Sequence, residues 1–164
     1  MTMPNLMTIR GLTVDFRAAR GDVHALRNVC IDVPESKILG IVGESGSGKS
    51  TLVWATTQLL PDNAIVKSGE IRFNGDDVLT FREQQLEHYR GQQVSIVFQD
   101  PMTSQIPVIT YGGQMADIQY RRHGFSASDK RQAAIDMLRT VGIGDPEMRV
   151  NQYPHQFKIG RAHV

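Results

Sequence analysis

Gly43-Glu44-Ser45-Gly46-Ser47-Gly48-Lys49-Ser50 fits the pattern G-x-x-x-x-G-K-[ST]. Those residue types at that spacing suit the holding of a chain of phosphates. Phosphate oxygens carry several negative charges and need many donors converging on them. Glycines at 43, 46 and 48 let the backbone turn its N–H groups inward with no Cβ in the way. A helix starting near Lys49 adds the positive end of its dipole. The Lys49 ammonium can then reach the β- and γ-phosphates of a nucleoside triphosphate, and the Ser50 hydroxyl can ligate Mg²⁺. Thr51, one residue further into the helix, can donate to an inner phosphate. The bland alternative is a glycine-rich strand–helix turn with an incidental lysine. The loop binds nucleotide on this reading.

Other chemistry finds no support. A G-x-S-x-G nucleophile elbow fails because position 47 is serine, and G-x-G-x-x-G fails because the run from Gly46 and Gly48 ends on Thr51. His24, His88, His123, His155 and His163 are dispersed, and one cysteine draws no zinc spacing, so the histidines read as surface or packing residues. Hydrolysis also needs an acidic strand end for magnesium and a group to position water. Ile96–Asp100 interrupts its apolar run with Gln99 before the acid, and Ala133–Asp136 lies inside a helical pattern, where packing explains it. The sequence offers a nucleotide site without a complete hydrolytic apparatus.

The elements that must position this loop follow from periodicity. Met7–Phe16 alternates apolar and polar residues, as does Leu26–Val33 before Pro34, so both read as strands around a turn at Gly21-Asp22. Lys37–Val42 is a continuous apolar run, expected as a strand buried on both faces. Thr51–Leu60 reads as a well-buried helix stopped by Pro61. Gly69–Phe73 runs into Asn74-Gly75, a strong hairpin signal. Arg82–Arg90 is helix-compatible, and Val94–Phe98 is a further strand candidate. Ser126-Ala127-Ser128-Asp129 matches a capping box, followed by an apolar face of Ala133, Ala134, Met137, Leu138 and Val141, with Gly142 as the stop. Paired strands followed by strand–loop–helix argue for an α/β architecture.

The bulk numbers narrow the function classes. The chain has 164 residues, 40% hydrophobic and 21% charged, which fits one globular domain. Eighteen Lys+Arg against seventeen Asp+Glu leave a net charge of +1 with no basic stripe, so nucleic acid is not an expected partner. No apolar stretch approaches the ~20 residues that cross a bilayer, and the N-terminus lacks the features of a secretory signal. The lone Cys30 makes no internal disulfide and is compatible with a reducing compartment.

Three blocks carry a family resemblance: Ile41–Thr51, Val97-Phe98-Gln99-Asp100-Pro101-Met102-Thr103-Ser104, and Gln152-Tyr153-Pro154-His155-Gln156-Phe157. The chain resembles the ATP-binding subunits of ABC transporters, in the dipeptide/oligopeptide/nickel importer group, over about Met7 to Phe157. The resemblance implies ATP and Mg²⁺ as ligands and a P-loop NTPase (RecA-like) core, with an N-terminal antiparallel β subdomain and a helical subdomain near Met102–Met148. It implies that Gln99 is the glutamine approaching magnesium and the attacking water, and that Phe16 stacks on adenine. The bland alternatives are a polar strand end for Gln99 and a core aromatic for Phe16. The phosphate site is expected to comprise Gly43, Glu44, Ser45, Gly46, Ser47, Gly48, Lys49, Ser50 and Thr51, with Lys49 and Gln99 serving catalysis and Ser50 and Gln99 the metal.

Implied partners are transmembrane permease subunits, a second ATP-binding subunit (identical or not) and, indirectly, an extracytoplasmic solute-binding protein. The implied location is peripheral, on the cytoplasmic face of the bacterial inner membrane. Ser36 departs from the family by replacing a glycine, and Gln105-Ile106-Pro107 replaces Leu-Asn-Pro. The family's signature segment, acidic strand and histidine switch are absent, so the fold is expected to be truncated before them and the 164 residues alone to be inactive. Ile159–Val164 resembles one reading frame of a common sequencing adapter, so 1–157 is expected to be the native part of the nucleotide-binding domain and 158–164 a non-native tail. Without the missing strands, the runs at 37–42 and 94–98 are expected to expose apolar faces. Competing functions are a small-molecule P-loop kinase, thinly supported by Arg121-Arg122, and a non-catalytic nucleotide-binding module.

Overall fold

The computed structural model describes residues 4–19, 21–100, 104–118 and 125–157. These fall into two compact units, 1–96 and 97–164.

The first unit is built on an antiparallel sheet of order β2-β1-β3-β4. Strand β1 (Asn5–Phe16) lies between β2 (Val23–Pro34) and β3 (Ala64–Phe73), and β4 (Asp76–Asp77) is a short edge. Both alternating segments are therefore strands, each starting a few residues earlier than periodicity suggested. Ile9 faces Ile31 on one side and Ile71 on the other, and Val14 faces Leu26 and Val66. These cross-strand pairs make Ile9, Leu12, Val14 and Ile71 the centre of the core. Gly69 is required where β3 passes β1. A Cβ there would sit 2.5 Å from Leu12 Cα, and its φ of +103° already suits only glycine.

The Asn74-Gly75 signal is realised as a tight hairpin with φ of 51° and 92° at the two residues, the primed geometry that matches strand twist. Helix α1 (Lys49–Thr56) lays Leu52 and Ala55 on the core. It was expected to continue to Leu60. Gln58 instead turns left-handed at φ 55°, and the Thr56 and Thr57 hydroxyls donate to the Val53 carbonyl at 2.8 and 3.2 Å. The Arg90 guanidinium then takes the Thr57 and Gln58 carbonyls, closing the helix end from far along the chain.

Helix α2 (Glu83–His88) passes into a π turn over Tyr89–Gln93. Tyr89 is fully buried, edge-on to Phe73 and Phe81 at 5.2 and 5.7 Å, and its hydroxyl donates to the Thr56 carbonyl at 2.8 Å. Burial pushes this phenol up to about 12.

Two expected strands are corrected. Lys37–Val42 and Val94–Phe98 form no ladder. Ile38 is fully exposed, Val42 is 94% exposed and Val97 90%. Among the described residues neither run has a neighbouring strand to take its backbone N–H and C=O groups, and an apolar run becomes a strand only when it has one. Leu39 and Ile41 nevertheless share a lining with Met7, Ile9, Leu52 and Val53 around a groove of about 220 Å³. Period-two alternation survives there without a sheet.

In the second unit, α3 (Tyr111–Ile118) packs on α4 (Ala127–Thr140), followed by the short α5 (Pro146–Arg149). The capping box forms as expected: Ser126 Oγ accepts from the Asp129 N–H at 3.1 Å, and Asp129 accepts from the Ser126 N–H at 2.8 Å. The Ser126 hydroxyl, donating to the Asp129 carboxyl at 2.7 Å, and then the Ser126 N–H hold that carboxyl below its ordinary range. Gly142 ends α4 at φ 78°. The buried stripe is Ala134, Ile135 and Leu138, meeting Val150, while Met137 and Val141 stay exposed. The expected stripe is thus rotated, because Val150 and Met115 cover the side centred on Ala134. Gly112 meets Val150 so closely that its N–H donates to the Val150 carbonyl at 2.7 Å. Among the described residues no helix is long and apolar enough to cross a membrane.

Candidate functional site

The loop from Gly43 to Gly48 takes its shape from two left-handed glycines, Gly46 at φ 81° and Gly48 at φ 91°. The Ser47 N–H closes back on the Glu44 carbonyl at 3.2 Å. Gly48 is the N-cap of α1 and has no side chain to cap the helix. A Cβ at Gly48 would lie 2.7 Å from the Ala25 carbonyl, and one at Gly43 would lie 2.8 Å from Ser47 Oγ. The first position seats the loop against β2, and the second keeps its interior clear.

The Lys49 side chain curls over the loop. Its Nζ donates to the carbonyls of Gly43 and Glu44 at 2.8 and 2.6 Å and to Ser47 Oγ at 3.3 Å. These partners are neutral oxygens, and an ammonium gains more from anionic ones, so phosphate can replace them. Helix geometry leaves the N–H groups of Lys49, Ser50 and Thr51 without intrahelical acceptors, and Gly48 at the N-cap has no side chain to supply one. Cation, orphan donors and dipole converge on one exposed loop, which fits a polyphosphate. The Ser50 hydroxyl is exposed at the helix start and fits a magnesium ligand, while Thr51 is buried beneath. Glu44 and Ser45 lie exposed on the rim. The described residues hold no cluster of three or more His, Cys, Asp or Glu that could bind a metal by themselves. A magnesium ion here would take Ser50 together with phosphate oxygens.

Phe16 ends β1, half-buried, with Val23 and Ala64 as its cross-strand partners. Two residues beyond Val23, the Ala25 carbonyl touches the Gly48 position. The start of β2 therefore links the aromatic strand end to the phosphate loop. Gln99 is exposed and belongs to the other unit. Its joint role with Ser50 is an implication of the resemblance and not a contact within either unit.

A family model described as ABC transporter matches residues 26–163, most of the chain. The chain belongs to the ABC transporter family. Family relatives agree along nearly its whole length. It is 38% identical over 161 residues to the dipeptide transport ATP-binding protein DppD of Lactococcus lactis, covering 98% of this chain and 46% of that protein. It is 37% identical over 156 residues to the oligopeptide transport ATP-binding protein OppD of Bacillus subtilis, covering 94% and 44% respectively. The chain thus spans less than half the length of these curated relatives. Among solved structures it is similar to MJ0796, a bacterial ABC transporter cassette described as dimeric. That match has a TM-score of 0.76 at 23% identity and covers 92% of this chain and 62% of that one. It shows the cassette fold.

The departures from the family have physical expression. Ser36 stands at φ 55°, the left-handed turn that a glycine would take without strain. Ile106 is exposed, and its N–H and carbonyl are both held by the Gln114 side chain at 3.0 Å. Sequence reasoning missed the partner of His24. This histidine is at the surface, as expected, and its Nδ1 also lies 2.8 Å from the buried Asp15 carboxylate. The signal was present in the β1–β2 hairpin, yet only the register places Asp15 opposite His24.

Proposed function

We propose that this chain carries the nucleotide-binding part of an energy-coupling ATPase subunit in an importer of dipeptides or oligopeptides. The observation that carries the reading is the phosphate loop: Lys49 folded over two left-handed glycines at an uncapped helix start. In use, the Lys49 ammonium leaves its loop carbonyls for the β- and γ-phosphates of ATP. The N–H groups of Lys49, Ser50 and Thr51 donate to phosphate oxygens, and Ser50 ligates Mg²⁺. Magnesium would neutralise developing charge on the phosphates. Phe16 stacks on the adenine, and Gln99 approaches the metal and the water.

The peptide class is supported by relatives whose names specify dipeptide and oligopeptide transport. Permease subunits and a second ATP-binding subunit, identical or not, follow from that class. So do a peripheral place on the cytoplasmic membrane face and a solute-binding protein feeding the permease. ATP hydrolysis belongs to the assembled importer.

The test is uptake of labelled di- and oligopeptides, and of nickel, in the source cell with the gene intact or carrying Lys49→Ala. Loss of peptide uptake with unchanged nickel uptake supports the reading. Unaffected transport together with phosphorylation of a metabolite by the purified product would favour a P-loop kinase instead.

A further inference from the structure

Asp15 is the one buried carboxylate among the described residues, 4% exposed. The phosphate loop leaves it unused, and it stands one residue before Phe16. Its Oδ1 lies 2.8 Å from His24 Nδ1 on β2, and its Oδ2 lies 4.0 Å from Lys67 Nζ on β3. Lys67 also reaches Asp22 Oδ2 at 3.7 Å, in the turn between β1 and β2. One carboxylate therefore ties three strands together at the end that presents Phe16.

The tie falls where the ladder is weakest. The β1–β2 register shifts between Val14 and Asp15, and such a bulge twists the strand and leaves a residue unpaired. Just past Phe16, the Arg17 N–H donates to the Asn63 carbonyl at 2.8 Å, and the Asn63 amide donates to the Arg17 carbonyl at 3.2 Å. Phe16 is thus gripped on both sides along the chain. Successive strand residues point to opposite faces, so the carboxylate fixes the strand from behind and leaves the Phe16 ring on the other face.

We propose that Asp15, with His24 and Lys67, is a positioning device for Phe16, setting the angle at which its ring meets the nucleotide base. The cluster thereby controls the part of the affinity that depends on the base. This rests on the reading that Phe16 stacks on adenine. A well-placed aromatic contributes to base binding through stacking geometry, and a tilted or mobile ring loses much of that gain.

The test uses the subunit expressed in full from its own gene, titrated at equilibrium with Mg-ATP and, separately, with inorganic tripolyphosphate and Mg²⁺. Asp15→Ala is expected to weaken ATP about tenfold and to leave tripolyphosphate within about twofold. His24→Ala should move ATP in the same direction. His24→Asn should restore most of the loss, because its amide nitrogen stands near the place of Nδ1. In a Phe16→Ala background, Asp15→Ala should have no further effect.

Equal weakening of ATP and tripolyphosphate by the Asp15 and His24 variants would mean a merely structural cluster and overturn the proposal. So would ATP binding that ignores both variants while Phe16→Ala still weakens it. A Phe16→Ala variant with unchanged ATP affinity overturns the stacking reading itself, a separate result. Should Asp15→Ala fail to fold, the half-exposed His24 carries the same test through its Ala and Asn variants.

Discussion

The segments Ile9–Val14 and Ile38–Val42 belong to the same compact unit, and both have the apolar character of a strand. The first is the centre of the core, with β2 on one side and β3 on the other, whereas the second puts Ile38 and Val42 into solvent. The first alternates apolar and polar side chains and the second is continuously apolar, yet each pattern reads as a strand. A strand is a relation between segments, and the backbone groups of Ile38–Val42 have no neighbour to complete it. Immediately after that unpaired run, the phosphate loop is fully shaped. Its form comes from two left-handed glycines and a helix start, all within a few residues. Local chemistry is in place where non-local architecture is not.

The largest expected effect breaks or upholds that contrast directly. In the 164-residue chain, Leu12→Ala should cost about 3 kcal/mol, since it opens a cavity at a residue with no exposure. Val42→Thr should change stability by no more than about 0.5 kcal/mol. Chemical denaturation of both variants checks this, and equal losses would mean that Ile38–Val42 has a packing partner. The same chain should aggregate on heating, because Ile38 and Val42 in one unit and Val97 in the other are each exposed apolar residues, and Val42→Thr should slow that aggregation.

Next in size is Lys49→Ala, which should weaken ATP about 100-fold, or about 2.7 kcal/mol, by removing the one cation over the phosphates. Its melting temperature should stay near that of the parent, because Nζ bonds only to exposed loop oxygens. A large drop in melting temperature would show that the loop is not the self-contained unit described above.

The second unit offers a smaller, equally local case. Ser126→Ala should cost about 1 kcal/mol through loss of the α4 cap, read by thermal melting. The cap is also pH-dependent. Asp129 is held below its ordinary pKa by Ser126, so its stabilising effect is present above the usual carboxylate range near 3.9 and is lost as pH falls through its lowered folded value. Helicity followed from pH 6 down to pH 2 should fall less in Ser126→Ala than in the parent, whose cap is there to lose.

What the sequence made legible divides along the same line. The Asn74-Gly75 turn, the Ser126–Asp129 box and the loop of Gly43–Ser50 are complete within a few residues, and all three are found as read. Lys37–Val42 and Val94–Phe98 needed neighbours that periodicity cannot supply. The end of α1 was misplaced because Arg90, more than thirty residues away, caps it at Thr57 and Gln58. The α4 stripe was rotated because Val150 decides which side is covered. In the candidate site, the shape of the glycine loop and the helix start at Lys49 follow from residues within the loop itself. The link from Phe16 to that loop runs through the Ala25 contact with Gly48, and the hold on Phe16 runs through Asp15 and His24, all of which require the register of β2.

The smallest expected effect sharpens the boundary between the two regions. Ser36 lies in the turn that leads from β2 toward Lys37–Val42, at φ 55°, where its Cβ crowds the backbone. A left-handed residue with a side chain costs about 1–2 kcal/mol relative to its right-handed form, and serine is not relieved as asparagine or aspartate can be. Glycine removes that strain but widens the unfolded ensemble, so the two contributions oppose each other. Ser36→Gly should therefore stabilise by a net ~0.5 kcal/mol, raising the melting temperature by a few degrees at most. The turn is held by β1 and not by the run that follows it, with the Glu35 N–H on the Pro4 carbonyl at 3.1 Å. The gain should thus be the same whether or not the apolar run after it finds a strand partner. A gain that appeared only where Ile38–Val42 is paired would mean that the turn takes its shape from that pairing and not from its contact with Pro4.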